Sequence, residues 1–205
     1  MIALVLAVSL TFADSVQANY AQQDVAALRS LLQQADTRMH RLLCRYRLYP
    51  LTEEGDIIED IPEDLPNGSA RELALLSGLW AYRAGEASFF GAIRYGRRSQ
   101  DLLEKARARD PNDPYVLLVA GQSLMFRPAI AGRDLEAAAQ HFQRLVDVVH
   151  AHTSAGIAMA EAKTWLWMAY RALEWTGKAD RLRAELLAGG LPSLYTQFLN
   201  DPPRI

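Results

Sequence analysis

Residues 99–145 read SQDLLEKARARDPNDPYVLLVAGQSLMFRPAIAGRDLEAAAQHFQRL, and their pattern decides the fold. Ser99, Leu103 and Ala106 put a small, a large and a small side chain on one helical face, and Ala138, Phe142 and Leu145 repeat the same four-then-three spacing. Between them lie two breaks. The first, Asp110-Pro-Asn-Asp-Pro114, is a turn. The second, RPAIAGRD at Arg127 to Asp134, is longer than a tight turn needs. Pro128 is expected to end the preceding helix near Phe126, Gly132 to supply a positive φ, and Asp134 to cap the next helix. That makes it a lengthened inter-helix turn; an extended loop on a rigid scaffold is also a place where ligands are met.

Outward from this stretch, nothing after Ser69 alternates with period two for long enough to make a strand, so the class is all-α. Upstream, Val25, Leu28, Leu31, Leu32, Ala35, Met39, Leu42, Leu43 and Tyr46 recur at helical spacing and predict one long opening helix. The segment LYPLTEEGDIIEDIPEDLPNG holds three prolines, two glycines and seven acidic residues between Glu53 and Asp64, and is expected to be a solvated connector. It leads into Ser69-Ala-Arg-Glu72, a capping box that starts a helix. Asn67-Gly-Ser69 also spells a glycosylation sequon. Further breaks are expected near Ala151 to Gly156, at Thr176-Gly177, at Gly189 to Pro192 and at Asp201 to Pro203.

These breaks leave antiparallel helix pairs with a degenerate internal repeat, over residues 69–111, 112–155 and 156–192. Gly78-x3-Tyr82 and Gly121-x2-Leu124 precede the two helices that share this spacing, and Pro111 and Pro192 close units. The pattern resembles the tetratricopeptide repeat, in which small residues let paired helices approach and each pair stacks on the next. The stretch LEKARARDPNDPYVLLVAGQSLMF, with Pro128, Gly132 and Asp134 before an alanine-rich helix, resembles exported bacterial tetratricopeptide-like proteins such as the T component associated with TRAP transporters. Arg133 stands where a second glycine is common in them. The resemblance implies a short solenoid and an association with solute uptake.

Composition narrows the classes. With 22 basic and 24 acidic residues the net charge is −2, which offers no general attraction for nucleic acid or anionic lipid. The lone cysteine, Cys44, sits among apolar neighbours in RLLCR and reads as a buried thiol. An apolar run from Ile2 to Ala13, with small residues offering cleavage after Ala13 or Ala18, looks like a secretory signal over residues 1–18, although no Lys or Arg precedes it. Residues 19–205 are then one domain, periplasmic or secreted; if the run is instead a buried first helix, the chain is cytoplasmic. No apolar run reaches membrane length, so stable membrane insertion is not expected.

The candidate binding residues are aromatic. Trp165, Trp167, Tyr170 and Trp175 form the densest ring cluster, with Trp165, Met168, Ala172 and Trp175 on one helical face and Trp167 and Tyr170 on another; this fits a helix sandwiched in a stack, or the lining of an apolar ligand cavity. Tyr115 to Phe126 reads as sandwiched too. Trp80, Tyr82, Phe89, Phe90 and Tyr95 alternate with Arg83, Arg94, Arg97 and Arg98; exposure of both Phe89 and Phe90 would favour a partner-binding surface, for an anion or an acidic peptide, over a plain amphipathic helix. Phe126 and Arg127 flank the long turn and complete the candidate set of Trp80, Tyr82, Phe126, Arg127, Trp165, Trp167 and Tyr170.

No catalytic residue, cofactor or metal site is expected. Nucleophile-elbow, zincin, Walker and dinucleotide motifs are missing, and Asp147, His150 and His152 do not assemble a zinc set, since residues two apart diverge on a helix. The expected function is a non-catalytic protein-protein interaction or scaffold module of the cell envelope, with a protein or peptide partner in the groove of the stack. A small apolar-ligand-binding accessory protein associated with solute transport, with a transporter component as partner, is the alternative. With either, a core free of converging ionisable groups is expected, and a buried cluster of them would count against the reading.

Overall fold

A computed structural model describes residues 11–151 and 156–205, and every regular element among them is helical. Helices α1 (Phe12–Ala21), α2 (Val25–Gln34), α3 (Arg38–Thr52) and the single turn α4 (Asp56–Glu59) precede three long pairs. These are α5 (Ala70–Glu86) with α6 (Phe89–Arg109), α7 (Pro114–Phe126) with α8 (Leu135–Ala151), and α9 (Met159–Ala172) with α10 (Thr176–Ala188); α11 (Ser193–Asn200) ends the order. Each pair packs along its length, α3 on α5, α5 on α7 and α8 on α9 join the pairs into a stack, and α1 meets α11 across its end.

The helix starts follow from local chemistry. Ser69 Oγ accepts from the Glu72 amide at 3.2 Å while the Glu72 carboxylate accepts from the Ser69 amide at 2.8 Å, which completes the capping box of α5. Asp113 accepts from the amides of Tyr115 and Val116 with Pro114 in the first turn of α7. In the long turn, α7 stops at Phe126, one 3₁₀ turn covers Ala129–Ala131, and Gly132 takes φ +87°. Asp134 Oδ1 then accepts from the Ala137 amide at 2.9 Å and starts α8. Each role expected of that loop from its residues is found.

Small residues set the depth of packing. A Cβ added to Gly78 would strike the Tyr46 ring, and one added to Gly121 would strike Phe142, so α3 against α5 and α7 against α8 come as close as a bare backbone allows. The core runs through Leu73, Leu76, Leu79, Leu118, Phe142 and Leu145, all fully buried. Tyr115 to Ala120 on α7 and Trp165 to Ala169 on α9 are unbroken buried runs, as expected of helices covered on both sides.

Four boundaries differ from expectation. The run from Asp24 to Tyr46 is divided: Ala35 turns extended, and Thr37 accepts from the His40 amide to begin α3 anew. Helix α3 continues through Pro50 to Thr52, and the acidic stretch behind it is no simple wet connector, because Ile57, Ile58, Ile61 and Leu65 are buried while its carboxylates face outward. Thr176 and Gly177 open α10; the chain turns before them, at Glu174 with φ +56°. Trp175 consequently lies outside α9 and is 37% exposed.

Helix α1 belongs to the same core. Thr11 and Asp14 form a capping box, and Val16, Gln17 and Tyr20 are buried. Both candidate cleavage points, Ala13 and Ala18, therefore lie inside a packed helix, while residues 1–10 fall outside the described part of the chain. Among the described residues no helix is long and apolar enough to cross a membrane.

Candidate functional site

The seven aromatic and basic candidates do not line one groove. Trp80 is buried and donates its indole N–H to the Pro62 carbonyl at 3.0 Å. Tyr82 stacks on Tyr46 and Tyr49, with centroids 5.6 and 4.8 Å away, and burial raises its pKa. Trp165 is 6% exposed, stacked on Phe142 and meeting Phe126 and Phe198 edge-on; Trp167, on the other side of α9, is 2% exposed beneath the Arg171 guanidinium. These tryptophans fill core, the plainer of their two readings. Tyr170 is half-buried, and Arg127 donates to Ser123 Oγ at 3.1 Å. His152 lies outside the described residues.

What the fold leaves open is the elbow between α5 and α6. Phe89 and Phe90, the first two residues of α6, are 74% and 82% exposed, their rings edge-to-face, and Ile93 one turn on is exposed as well. Such adjacent rings in water mark a contact surface more often than chance. Beside them an open pocket of about 650 Å³ is lined by Arg83, Glu86, Ser88, Phe90, Arg94 and Tyr95.

The arginines there are held in place. Arg83 lies over Trp80 and Tyr95 and donates to the Glu59 carbonyl at 2.8 Å; Arg94 lies over Tyr95 and donates to its hydroxyl at 2.8 Å. That hydrogen bond holds the Tyr95 pKa below its ordinary value. All 24 acidic side chains belong to the described residues, and none comes within 4.0 Å of the guanidinium nitrogens of Arg83, Arg94 or Arg97. Further along α6 the situation reverses: Arg98 pairs with Glu63 and Lys105 with Asp64, so the chain's own acidic stretch already lies on that part of the helix.

A second constellation was not expected at all. Arg47 on α3 and Glu161 on α9 form a bidentate pair inside the core. Arg47 Nη2 also donates to Gln17 at 2.9 Å and to the Tyr115 hydroxyl at 3.3 Å, and its guanidinium sits 4.5 Å from the Tyr20 ring centroid. Gln17 donates on to the Tyr195 hydroxyl at 2.7 Å. Burial pushes the Tyr20 phenol up to about 12 and holds Tyr46 and Tyr195 well above the usual value. The expectation of a core free of converging ionisable groups does not hold. A signal was present: Arg47 follows Leu43 by four and Cys44 by three, placing a charge in the register of the buried stripe. The cluster is sealed under α1 and α11, and none of its residues lines the elbow pocket.

Against known families, curated proteins and solved structures, the chain has no match.

Proposed function

We propose that this chain is a non-catalytic binding module of the tetratricopeptide-like kind, and that it engages an acidic protein segment at the α5–α6 elbow. The observation that carries the reading is the exposure of Phe89 and Phe90 beside arginines without carboxylate partners. Rings supply desolvated contact area, and the guanidinium forks select carboxylates. The mode has an internal precedent, since EEGDIIEDIPED at residues 53–64 lays acidic and apolar side chains against α5 and α6 of its own fold. The surface is an elbow and not the inter-helix groove expected from the sequence. Helix pairing with close approach at Gly78 and Gly121 supports the tetratricopeptide-like reading; the apolar run from Ile2 supports a place in the cell envelope, whereas the packing of its end, Phe12 and Ala13, in α1 favours the alternative of a buried first helix. The sealed position of Arg47 and Glu161 favours binding over catalysis, because a reacting group must meet its substrate.

The test uses a labelled peptide of sequence EEGDIIEDIPED and fluorescence anisotropy. Binding that weakens with salt, and that falls at least tenfold in the Phe90→Ser/Arg94→Glu double variant at unchanged melting temperature, is the expected result. Equal binding by a lysine-substituted control peptide, or by the double variant, would overturn it.

A further inference from the structure

At the far side of the long turn, three arginines from three separate segments line one pocket: Arg133 from the turn, Arg171 from α9 and Arg204 from the C-terminal tail. The pocket measures about 390 Å³, within the range of small-ligand sites. The rest of its lining is Leu135, the buried Met168, Ala172, Pro202, Pro203 and Ile205, apolar side chains to which Ile205 adds its main-chain carboxylate.

Two of the three guanidiniums are oriented by the fold. Gly132 at φ +87° swings the chain so that Arg133 Nε donates to the Arg127 carbonyl at 3.0 Å, which leaves its terminal nitrogens free. Arg171 is spread over the Trp167 ring, 5.0 Å from the centroid, so its N–H edge stays available. No carboxylate of the described residues, which include every acidic side chain, lies within 4.0 Å of Arg133, Arg171 or Arg204. Of the carboxylates next to these arginines in sequence, Asp134 is committed to the α8 cap, and the one on Ile205, in the pocket lining, pairs with none of the three. Three like charges gathered on one small cavity repel each other, and an anion held between them reverses the sign of that interaction.

We infer that this pocket binds a small anionic amphiphile, its oxyanion head held by Arg133, Arg171 and Arg204 and its short apolar body laid on Leu135, Met168 and Pro203. A carboxylate and a phosphate head share the geometry the guanidinium forks offer. The site lies apart from the Phe89–Phe90 elbow and stands whether or not a protein docks there.

Isothermal titration of the full chain with octanoate, octyl phosphate, octanol and inorganic phosphate tests it. Saturable one-site binding of octanoate or octyl phosphate is expected, with the tighter of the two identifying the head. Octanol and inorganic phosphate should each bind at least tenfold more weakly. The Arg133→Gln/Arg171→Gln double variant should weaken the anionic amphiphile at least tenfold, with the melting temperature kept because both side chains are exposed, while Arg94→Gln at the elbow leaves it unchanged. Octanol matching octanoate, inorganic phosphate matching octyl phosphate, full binding by the double variant, or no saturable binding of either amphiphile would overturn the assignment.

Discussion

Arg47 on α3 and Glu161 on α9 meet as a bidentate ion pair at 2.6 and 3.0 Å, with side chains only 2% and 0% exposed. Through Gln17 and Tyr195 the pair also reaches α1 and α11, so one charge pair ties the two ends of the stack together. Its attraction is strong in a dry site, yet both charges had to leave water, and an apolar pair of similar volume can be as stable. Loss of one partner is a different matter. Glu161→Ala leaves an uncompensated buried guanidinium and is expected to cost about 3–5 kcal/mol. The double variant Arg47→Met/Glu161→Leu should recover most of that loss. Urea melts of the singles and the double check this; additive losses would remove the coupling.

Close approach at Gly121 leads to a second expectation. A Cβ there meets the ring of Phe142, which is fully buried and cannot swing aside, so Gly121→Ala should destabilise by about 1–3 kcal/mol despite the better helix propensity of alanine. Gly96 on α6 is the control, with open space around its Cβ position; Gly96→Ala should gain about 0.5–1 kcal/mol. Thermal unfolding of the two variants should move in opposite directions.

Helix α1 offers a third. A chain beginning at residue 19 lacks Val16, which is fully buried, and Gln17, which bonds both Arg47 and Tyr195. It should melt several degrees below a chain beginning at residue 11, which keeps the Thr11–Asp14 capping box. Matching melting temperatures would show that α1 contributes nothing to the core.

Alkaline pH probes the same core. Burial raises the Cys44 thiol from 9.0 to about 12 and the Tyr20 phenol from 10.0 to about 12. The unfolded chain releases these protons first, so the folded state binds more of them between pH 9 and 12, and stability falls as pH rises through that window. The contribution is intact below pH 9. Urea midpoints at pH 8 and pH 10.5 should differ accordingly, and Cys44 should react with a thiol reagent at pH 8 only at the rate of unfolding.

Much of the architecture was already present in local sequence. The Ser69–Glu72 box, Asp113 with Pro114, and Pro128, Gly132 and Asp134 act through neighbours a few residues away, so their roles follow from spacing alone. The two-sided apolar helices α7 and α9 announce burial for the same reason. The division of the Asp24–Tyr46 run escaped because Ala35 and Met39 keep helical spacing across the break, and only the Thr37 cap betrays it.

What the amino-acid order determined by itself is therefore the all-helical class, the starts of α5, α7 and α8 and the small residues where helices touch. Tertiary packing decided the rest. Arg47 and Glu161 are 114 residues apart, and no periodicity reports that two distant charges share one buried point. Nor does a count of rings say which are covered: Trp165 has α8 and α11 against it, whereas Phe89 and Phe90 begin a helix at an elbow that the described residues leave uncovered. Burial is a property of what other segments bring to a surface, and that is set only when the helices have stacked.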